Sequence, residues 1–253
     1  MPKAITVVMN CKNGNTHFQH DDWEHRYEAL QMECQIGFHM GPRNLPPDTL
    51  NVFLVPEYYF RKTGTDILSA YSDKEFKSIC AALKNQSRLI PNFLLIGGSI
   101  FWTPKDKKIV RHTVPIYHAG REILLYDKRN NCDELNTFER NAGYRWQKGT
   151  ASGRFTVDGL RCGIETCVDQ DYGELAKGGR DLHLHCIVSN MTVVAHPAAA
   201  PTGFVLHCNA NGGIGDLNIN TVLRHPHTPV GNQATVPALR KKGLTSIYTL
   251  EID

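Results

Sequence analysis

Short apolar runs rich in branched residues alternate with helical patterns along most of the chain, and this order restricts the fold more than any other feature. Helices are predicted over 21–38, opened by the acids Asp21 and Asp22, and over 72–86, capped by Ser72 or Asp73. Strands are predicted over 4–10, 50–60 with a break at Pro56, 93–102, 108–119, 121–128, 153–157, 160–167, 183–191, 203–208 and 244–252. Hairpin turns are predicted at Ala119 with Gly120 and at Asp158 with Gly159. Mixed sheets with helices outside them, an α/β or α+β layered fold, follow from this order.

Composition narrows the class of protein. The 253 residues are 41% hydrophobic and 21% charged, which is ordinary for a globular chain, and we expect a single domain over 1–253. A net charge of +3 is too small to indicate nucleic acid as a partner. Neither a signal peptide nor a membrane span is predicted, so a cytoplasmic protein is expected. The eight cysteines are then expected to be reduced thiols, mostly buried.

Three reactive side chains stand at the ends of predicted strands, where sheet proteins commonly build their sites. Glu57 follows a strand and a proline in LVPEYYF, Lys128 ends a strand in ILLYDKRN, and Cys167 ends a strand in GIETCVD. A carboxylate, an ammonium and a thiol at one point would supply a base, an oxyanion partner and a nucleophile. Each residue alone has an ordinary reading, as a loop acid, a surface charge or a packed thiol.

These three segments resemble the nitrilase superfamily, the carbon-nitrogen hydrolases with a Glu-Lys-Cys triad. The Glu57 segment is similar to the family's strand-Pro-Glu motif, HAGREILLYDK to its turn, strand and Tyr-x-Lys motif, and CVDQDYGE to its cysteine signature. Gly173 stands where that signature usually has proline. LLIGGS, QKGT and GGRDLHLHCIVSN are smaller similarities, and the resemblance covers residues 4 to 195. It implies a four-layer α-β-β-α sandwich of the nitrilase type, an α+β fold, with no metal or organic cofactor.

The resemblance also implies a role for each catalytic residue. Cys167 would attack an amide or nitrile carbon, and Glu57 would accept and return the protons. Lys128 and the backbone N–H of Val168 would stabilise the oxyanion. Family members often carry a second glutamate that orients the lysine and the substrate. Glu139 fits that place best, with Glu134 as the rival.

Two acids beside Cys167 need their own interpretation. Asp169 stands at the start of the predicted helix after Cys167 and is expected to be its N-cap rather than a site acid. Strand alternation puts Glu165 on the same face as Cys167. Glu165 is therefore either a paired, buried acid that supports the site or a contact of the substrate, and the sequence does not choose between the two.

Histidines offer an alternative site. His183, His185 and Cys186, His207 and Cys208, and HPH at 225–227 could together bind zinc, although their spacing matches no compact ligand motif. His183 and His185 share one strand face, and this face either borders the Cys167 pocket or meets a helix. GGIGD at 212–216 is not followed by a credible helix, which argues against a phosphate loop.

The chain departs from the family after residue 196. A Pro-rich connection, HPAAAPTG, stands where family members have a helix, and the family's later serine-bearing motif is not evident. The pocket walls and the subunit surface are therefore the least certain parts of the resemblance. A homodimer or larger homo-oligomer is nevertheless expected.

The favoured function is hydrolysis of a small amide or carbamoyl substrate to acid and ammonia through a thioester. The alternatives are a nitrilase or acyltransferase with the same triad, and a non-catalytic binding protein that keeps the fold. Substrate identity does not follow from the sequence.

Overall fold

A computed structural model describes residues 1–2, 4–12, 18, 22–105, 107–210, 220–224 and 234–252. Asp21, GGIGD at 212–216 and HPH at 225–227 lie outside the described residues. The α-helices of the described part are α1 (Trp23–Met40), α2 (Asp73–Gln86), α3 (Thr137–Asn141) and α4 (Val168–Asp171). Its strands are β1 (Ala4–Asn10), β2 (Leu50–Leu54), β3 (Tyr71–Ser72), β4 (Phe93–Ile96), β5 (Ile100–Thr103), β6 (Ile109–His118), β7 (Arg121–Asp127), β8 (Arg145–Trp146), β9 (Arg154–Val157), β10 (Leu160–Thr166), β11 (Leu182–Ser189), β12 (Ala199–Asn209), β13 (Asn220–Arg224), β14 (Ala234–Val236), β15 (Arg240–Lys242) and β16 (Thr245–Glu251).

Two mixed sheets form the centre of the molecule. The first has the order β15-β16-β1-β2-β4-β6-β5-β3, with β7 and β8 also paired to β6. The second has the order β14-β13-β12-β11-β10-β9. Strands β1, β2 and β4 run parallel, as do β10, β11 and β12, so the residues that follow each parallel set gather at one end of its sheet.

The main core lies between the sheets. Apolar side chains from the inner faces of both sheets form one buried cluster, which includes Ile5, Leu94, Ile164, Leu184 and Leu206. A second cluster lies between the first sheet and helices α1 and α2. Burial of such surfaces is the main source of stability in a layered fold. This arrangement confirms the expected α-β-β-α sandwich. Within the described residues, the layer outside the second sheet contains α4 and a 3₁₀ turn, Ala176–Gly178.

Local sequence signals account for most element boundaries. Ser72 caps α2 in a capping box with Glu75, and Asp22 accepts the backbone N–H of His25 at the start of α1. Both predicted hairpin turns are confirmed. Ala119 and Gly120 have φ of 48° and 77°, as a type I′ turn requires.

Two predicted strands differ in the structure. The run 50–60 is a strand only as far as Leu54, where β2 ends. The run 93–102 divides into β4 and β5 because Gly98 adopts a φ of 67°, which ends the extended backbone. The break leaves Ser99 fully buried between the two strands. None of the helices in the described part of the chain has the length and apolar character needed to cross a membrane.

Candidate active site

Glu57, Lys128 and Cys167 each follow the end of a strand, as expected. Glu57 comes after β2, Lys128 directly after β7 and Cys167 directly after β10. Glu57 is fully buried, and Lys128 and Cys167 are 1% and 8% exposed. The charges of Glu57 and Lys128 both act on the Cys167 thiol. The two sheets therefore bring the three predicted groups into one electrostatic cluster.

Lys128 lies between two carboxylates. Its Nζ donates to Glu57 Oε1 at 2.8 Å and also to Glu134 Oε1. Burial alone would lower the pKa of Lys128, but the charges of Glu57 and Glu134 outweigh it and raise the pKa above its ordinary value. Lys128 is thus an ammonium at any physiological pH. Glu57 Oε2 is buried and has no hydrogen-bond partner among the described residues.

Glu134, and not the favoured Glu139, contacts Lys128. Glu134 also accepts the hydroxyl proton of Tyr58, and both groups are buried. Burial opposes ionisation of Glu134, but His112 and Lys128 hold its pKa well below the usual range. The rival assignment thus has the geometry of the second glutamate.

Glu139 has a structural position. It is the third residue of α3, where its side chain and that of Asn136 form a capping box. Its Oε1 also accepts hydrogen bonds from the backbone N–H and the hydroxyl of Ser69, at 2.8 and 2.6 Å. Through these bonds the Glu139 carboxylate connects α3 to the 61–70 loop. The sequence could not separate the two glutamates, because α3 was not predicted.

The backbone at Cys167 makes a sharp turn between β10 and α4. Its φ of 48° and ψ of −115° lie outside the regions that side chains favour. Burial, reinforced by the charge of Glu57, raises the pKa of the Cys167 thiol to about 12. Lys128, the Thr192 hydroxyl and a backbone hydrogen bond with Asn190 act in the opposite direction. The resting side chain is therefore a thiol. Val168 begins α4.

Thr192 is a polar neighbour of Cys167. Its Oγ1 lies 2.9 Å from Cys167 Sγ, and Asn209 holds the adjoining backbone by accepting from Met191 N and donating to Thr192 O. Thr192 also borders a cavity of ≈ 210 Å³ that is lined in addition by His207 and Asn209. Burial lowers the pKa of His207 to about 4, so this wall is neutral near pH 7.

Asp169 does not cap α4, so the N-cap prediction is wrong. The N-cap position is occupied by Cys167, with no side-chain capping bond. Asp169 instead accepts from the backbone N–H groups of Arg129 and Asn130, at 3.0 and 2.7 Å, and from the Tyr126 hydroxyl at 2.7 Å. The carboxylate therefore ties the turn at Cys167 to the segment that follows Lys128.

Glu165 is a paired, buried acid, the first of its two predicted alternatives. It accepts from the backbone N–H of Leu175 at 2.6 Å and lies 2.8 Å from Nε2 of His185. Nδ1 of His185 accepts from Ala198 N, which leaves the proton on Nε2. These bonds join β10, β11 and the segments that flank them, below the Cys167 turn.

Backbone contacts fix the position of Lys128. Its N–H donates to the carbonyl of His112 at 2.8 Å, and its own carbonyl accepts from Gly149 N at 2.9 Å. A Cβ atom at Gly149 would lie 1.9 Å from the carbonyl oxygen of Asp127, so only glycine fits there. This contact gives a physical reason for the glycine of QKGT.

Three groups of the cluster were not predicted from the sequence. Tyr58 has a φ of 58° beside Glu57, and its ring stacks on that of His112 with the centroids 4.7 Å apart. His112 Nδ1 lies 3.3 Å from Glu134 Oε2, and its Nε2 lies 2.5 Å from Ser99 Oγ. A histidine at an apolar-facing position of β6, in register with Val110 and Val114, is the signal that could have indicated it.

Glu57, His112 and Glu134 together offer ligand atoms within 4.8 Å of one another, a separation that suits a metal ion. Lys128 Nζ, however, bonds both carboxylates. A divalent cation would have to displace this ammonium or lie beside it, so the donor set does not fit a metal while Lys128 is charged.

The predicted zinc ligands do not converge within the described residues. His183 accepts from Arg161 N, His185 pairs with Glu165, and His207 bonds Ser189. Cys186 and Cys208 are in the core between the sheets, on the opposite face from His185 and His207. His225 and His227 are outside the described part.

The fold and the site define a two-sheet α-β-β-α sandwich that carries a buried cysteine, an ammonium and two carboxylates. No model of a protein family matches the sequence, and no curated protein matches it. Solved structures do match it. An amidase from Nesterenkonia sp. is similar with a TM-score of 0.66 and 14% identity, covering 99% of this chain and 92% of its own.

Two further structures agree. A carbon-nitrogen hydrolase from Helicobacter pylori G27 has a TM-score of 0.63 at 12% identity, covering 98% of this chain and 89% of its own. Saccharomyces cerevisiae Nit3, a member of branch 10 of the nitrilase superfamily, has a TM-score of 0.60 at 16% identity, with coverages of 98% and 90%. The chain therefore has the fold of the nitrilase superfamily over nearly its whole length, and the resemblance is confirmed as a fold.

Proposed function

We propose that this protein is a cysteine-dependent carbon-nitrogen hydrolase that cleaves a small amide or carbamoyl substrate to acid and ammonia. One observation carries the proposal. Glu57 uses Oε1 to hold Lys128, while its buried Oε2 has no partner within the described residues and its charge acts on Cys167. Burial of a carboxylate oxygen without a hydrogen-bond donor costs folding free energy, so such an oxygen usually has a function. Here that function would be to accept the proton of the Cys167 thiol as a general base.

The first half of the reaction forms a thioester. Glu57 Oε2 accepts the proton of Cys167, whose sulfur bonds to the substrate carbonyl carbon. The carbonyl oxygen becomes an anion beside the Lys128 ammonium, with the backbone N–H of Val168 as a second donor. When the tetrahedral intermediate collapses, the carbon-nitrogen bond breaks and Glu57 returns its proton to the departing nitrogen. Ammonia leaves, and the acyl group remains on Cys167.

Water completes the cycle. Glu57 takes a proton from water as its oxygen attacks the thioester carbon, and Lys128 again stabilises the oxyanion. The carbon-sulfur bond then breaks, and Glu57 returns the proton to the sulfur. No metal or organic cofactor enters these steps. Glu134 also accepts a hydrogen bond from Lys128, so the ammonium stays in position when Glu57 is protonated and when it is ionised.

Complexes of a similar structure support an amide as the substrate. A variant of the Nesterenkonia amidase was solved in complex with butyramide, and another carries the acetamide moiety of fluoroacetamide on its active-site cysteine. A homodimer remains part of the proposal, with sedimentation velocity as its test.

Ammonia release from a panel of substrates tests the proposal. Simple amides, carbamoyl amino acids, glutamine and nitriles are compared for the wild-type protein and for Cys167→Ala and Glu57→Gln. Cys132 is exposed, so Cys132→Ala is the matched cysteine control. We expect turnover of an amide or carbamoyl compound that Cys167→Ala abolishes and Cys132→Ala retains. Equal activity in Cys167→Ala and wild type would overturn the proposal.

Alkylation separates an enzyme from a binding protein of the same fold. Iodoacetamide resembles a small amide, and the resting Cys167 thiol needs Glu57 to lose its proton. We expect Cys167 to be alkylated faster than the exposed Cys132 at neutral pH, and Glu57→Gln to remove this advantage. Peptide mapping by mass spectrometry measures both rates in one sample. A Cys167 that reacts more slowly than Cys132 in the wild-type protein would indicate a packed thiol.

A further inference from the structure

His112 is fully enclosed by the catalytic cluster but has no part in the steps above. Its Nδ1 lies 3.3 Å from Glu134 Oε2 and 3.9 Å from Glu57 Oε1, and all three side chains are buried. The first separation is an ion-pair distance without the alignment of a good hydrogen bond. Such contacts often shorten when substrate binds.

The strand pairing puts His112 beside Lys128. The two residues stand opposite each other on β6 and at the end of β7, because Lys128 N donates to His112 O at 2.8 Å. Side chains of such a pair project from the same face of the sheet. His112 therefore affects the position of Lys128 in two ways. Its carbonyl accepts from the Lys128 backbone N–H, and its ring faces Glu134, which accepts from the Lys128 ammonium.

Hydrogen-bond counting assigns the ring proton of His112. Ser99 Oγ accepts the backbone N–H of Tyr58 at 2.7 Å and lies 2.5 Å from His112 Nε2. These are the hydrogen bonds of Ser99 Oγ within the described residues, so its own proton points to Nε2. A nitrogen that accepts carries no proton in a neutral imidazole, which leaves the proton on Nδ1. Nδ1–H then faces Glu134 and Glu57.

We propose that His112 is a positioning residue for the catalytic cluster, which Ser99 holds as the Nδ1–H tautomer and which directs that proton at Glu134. The inference rests on the proposed function and adds a residue to it. Glu134 then has fixed donors on both oxygens, Lys128 on Oε1 and Tyr58 with His112 on Oε2. Lys128 stays centred, and Glu57 Oε2 stays free to act as the base.

Two amide substitutions separate this role from packing. Asparagine at position 112 can set its amide N–H near the place of Nδ1, whereas glutamine reaches the place of Nε2 and leaves no donor toward Glu134. We expect His112→Gln to lower kcat by roughly 10- to 100-fold with KM changed less than about threefold, as for other residues that orient reactive groups. His112→Asn should recover most of kcat. Thermal unfolding of each variant checks that it folds.

A readout that does not depend on turnover accompanies the kinetics. The rate of Cys167 alkylation by iodoacetamide should fall in His112→Gln and recover in His112→Asn. Two-bond nitrogen-proton NMR correlations of the labelled wild-type protein, assigned by their loss in His112→Asn, should show the proton on Nδ1. A proton on Nε2 alone would overturn the inference, as would equal rates in the Asn and Gln variants.

The two proposals fail in different ways. If Cys167 is not the fast-reacting thiol of the wild-type protein, the proposed function fails before His112 is tested. If Cys167 reacts fast and both His112 variants match the wild type, the function stands and the role of His112 is refuted.

Discussion

The backbone N–H of Asn130 donates to Asp169 Oδ1 at 2.7 Å, which ties the segment after Lys128 to the turn that carries Cys167. Lys128 belongs to the first sheet and Cys167 to the second, so this bond crosses the gap between the sheets at the site. The carboxylate also accepts from Arg129 N and from the Tyr126 hydroxyl. Asp169 is thus a polar link between the segment after Lys128 and the turn at Cys167.

Asp169→Asn should weaken both fold and catalysis. An amide offers one acceptor oxygen, and its NH₂ would face the backbone donors of Arg129 or Asn130. We expect the free energy of unfolding to fall by about 2–3 kcal/mol and kcat to fall on the order of 100-fold. Urea unfolding and ammonia release measure the two effects. Asp171, exposed in the same helix, gives the matched control Asp171→Asn, which should change neither quantity.

Glu134→Gln and Glu139→Gln should have different effects. Glu134→Gln takes one of two charges from the buried Lys128, so we expect kcat to fall at least about 10-fold, with loss of stability. Glu139→Gln weakens the cap of α3 and the bonds to Ser69. It should cost about 2–3 kcal/mol of stability, because the new NH₂ would face the backbone donor of Ser69 or Asn136, and leave kcat within about threefold. A larger kcat loss in Glu139→Gln would restore Glu139 as the second glutamate.

The Thr192 hydroxyl allows a test of what controls the pKa of the Cys167 thiol. Its hydroxyl acts to lower the pKa of Cys167, so Thr192→Val should raise that pKa and reduce the thiolate available at a given pH. We expect alkylation of Cys167 to slow about 10-fold, the value of one hydrogen bond. Thr192→Ser keeps the hydroxyl and should stay close to the wild type. Equal slowing in both variants would indicate lost packing instead.

The backbone conformation at Cys167 should make the glycine variant more stable than the alanine variant, which reverses the usual order. Glycine usually destabilises a protein relative to alanine, by roughly 0.5–1 kcal/mol. At a φ of 48° and ψ of −115°, a side chain is strained and glycine is not. Cys167→Gly should therefore unfold at higher urea than Cys167→Ala, by about 1 kcal/mol. The usual order, with alanine more stable, would show that the turn carries no strain.

Because buried thiols have raised pKa values, the free energy of unfolding should depend on pH in the alkaline range. Burial raises the pKa of the Cys186 thiol from its ordinary value of 9.0 to about 12, so the folded protein keeps a proton that the unfolded chain loses between these values. This contribution is complete below pH 9 and is lost as pH rises toward 12. We expect Cys186→Ala to make the fall in unfolding free energy less steep, by about 1.4 kcal/mol per pH unit. Equal slopes, measured by urea unfolding at several pH values above 9, would contradict this.

The sequence was sufficient for the layers, and for placing Glu57, Lys128 and Cys167 after the ends of strands, because those signals are local. The two hairpin turns and the cap of α2 at Ser72, one of its two candidates, depend on a few adjacent residues, and each is confirmed. The division of 93–102 into two strands was missed because GG permits either an extended run or a break. The choice depends on how β4 and β5 pair with different parts of β6.

The rest of the site depends on register, which the sequence does not give. A regular hairpin about Ala119 and Gly120 would pair His112 with Asp127 and not with Lys128. A bulge between Ile116 and Tyr117 shifts the pairing by one residue and brings His112 opposite Lys128. Asp169 was misassigned for a related reason, since its donors come from the other sheet.

The paired burial of Lys128 with Glu57 and Glu134 also restricts how this protein can change over time. Loss of either acid strands a positive charge away from water, and loss of the lysine sets two anions side by side without a counterion. A lineage that gave up turnover could not discard these groups singly without weakening its fold. Neutral drift would have to pass through less stable forms, so the three residues are expected to persist or to disappear together.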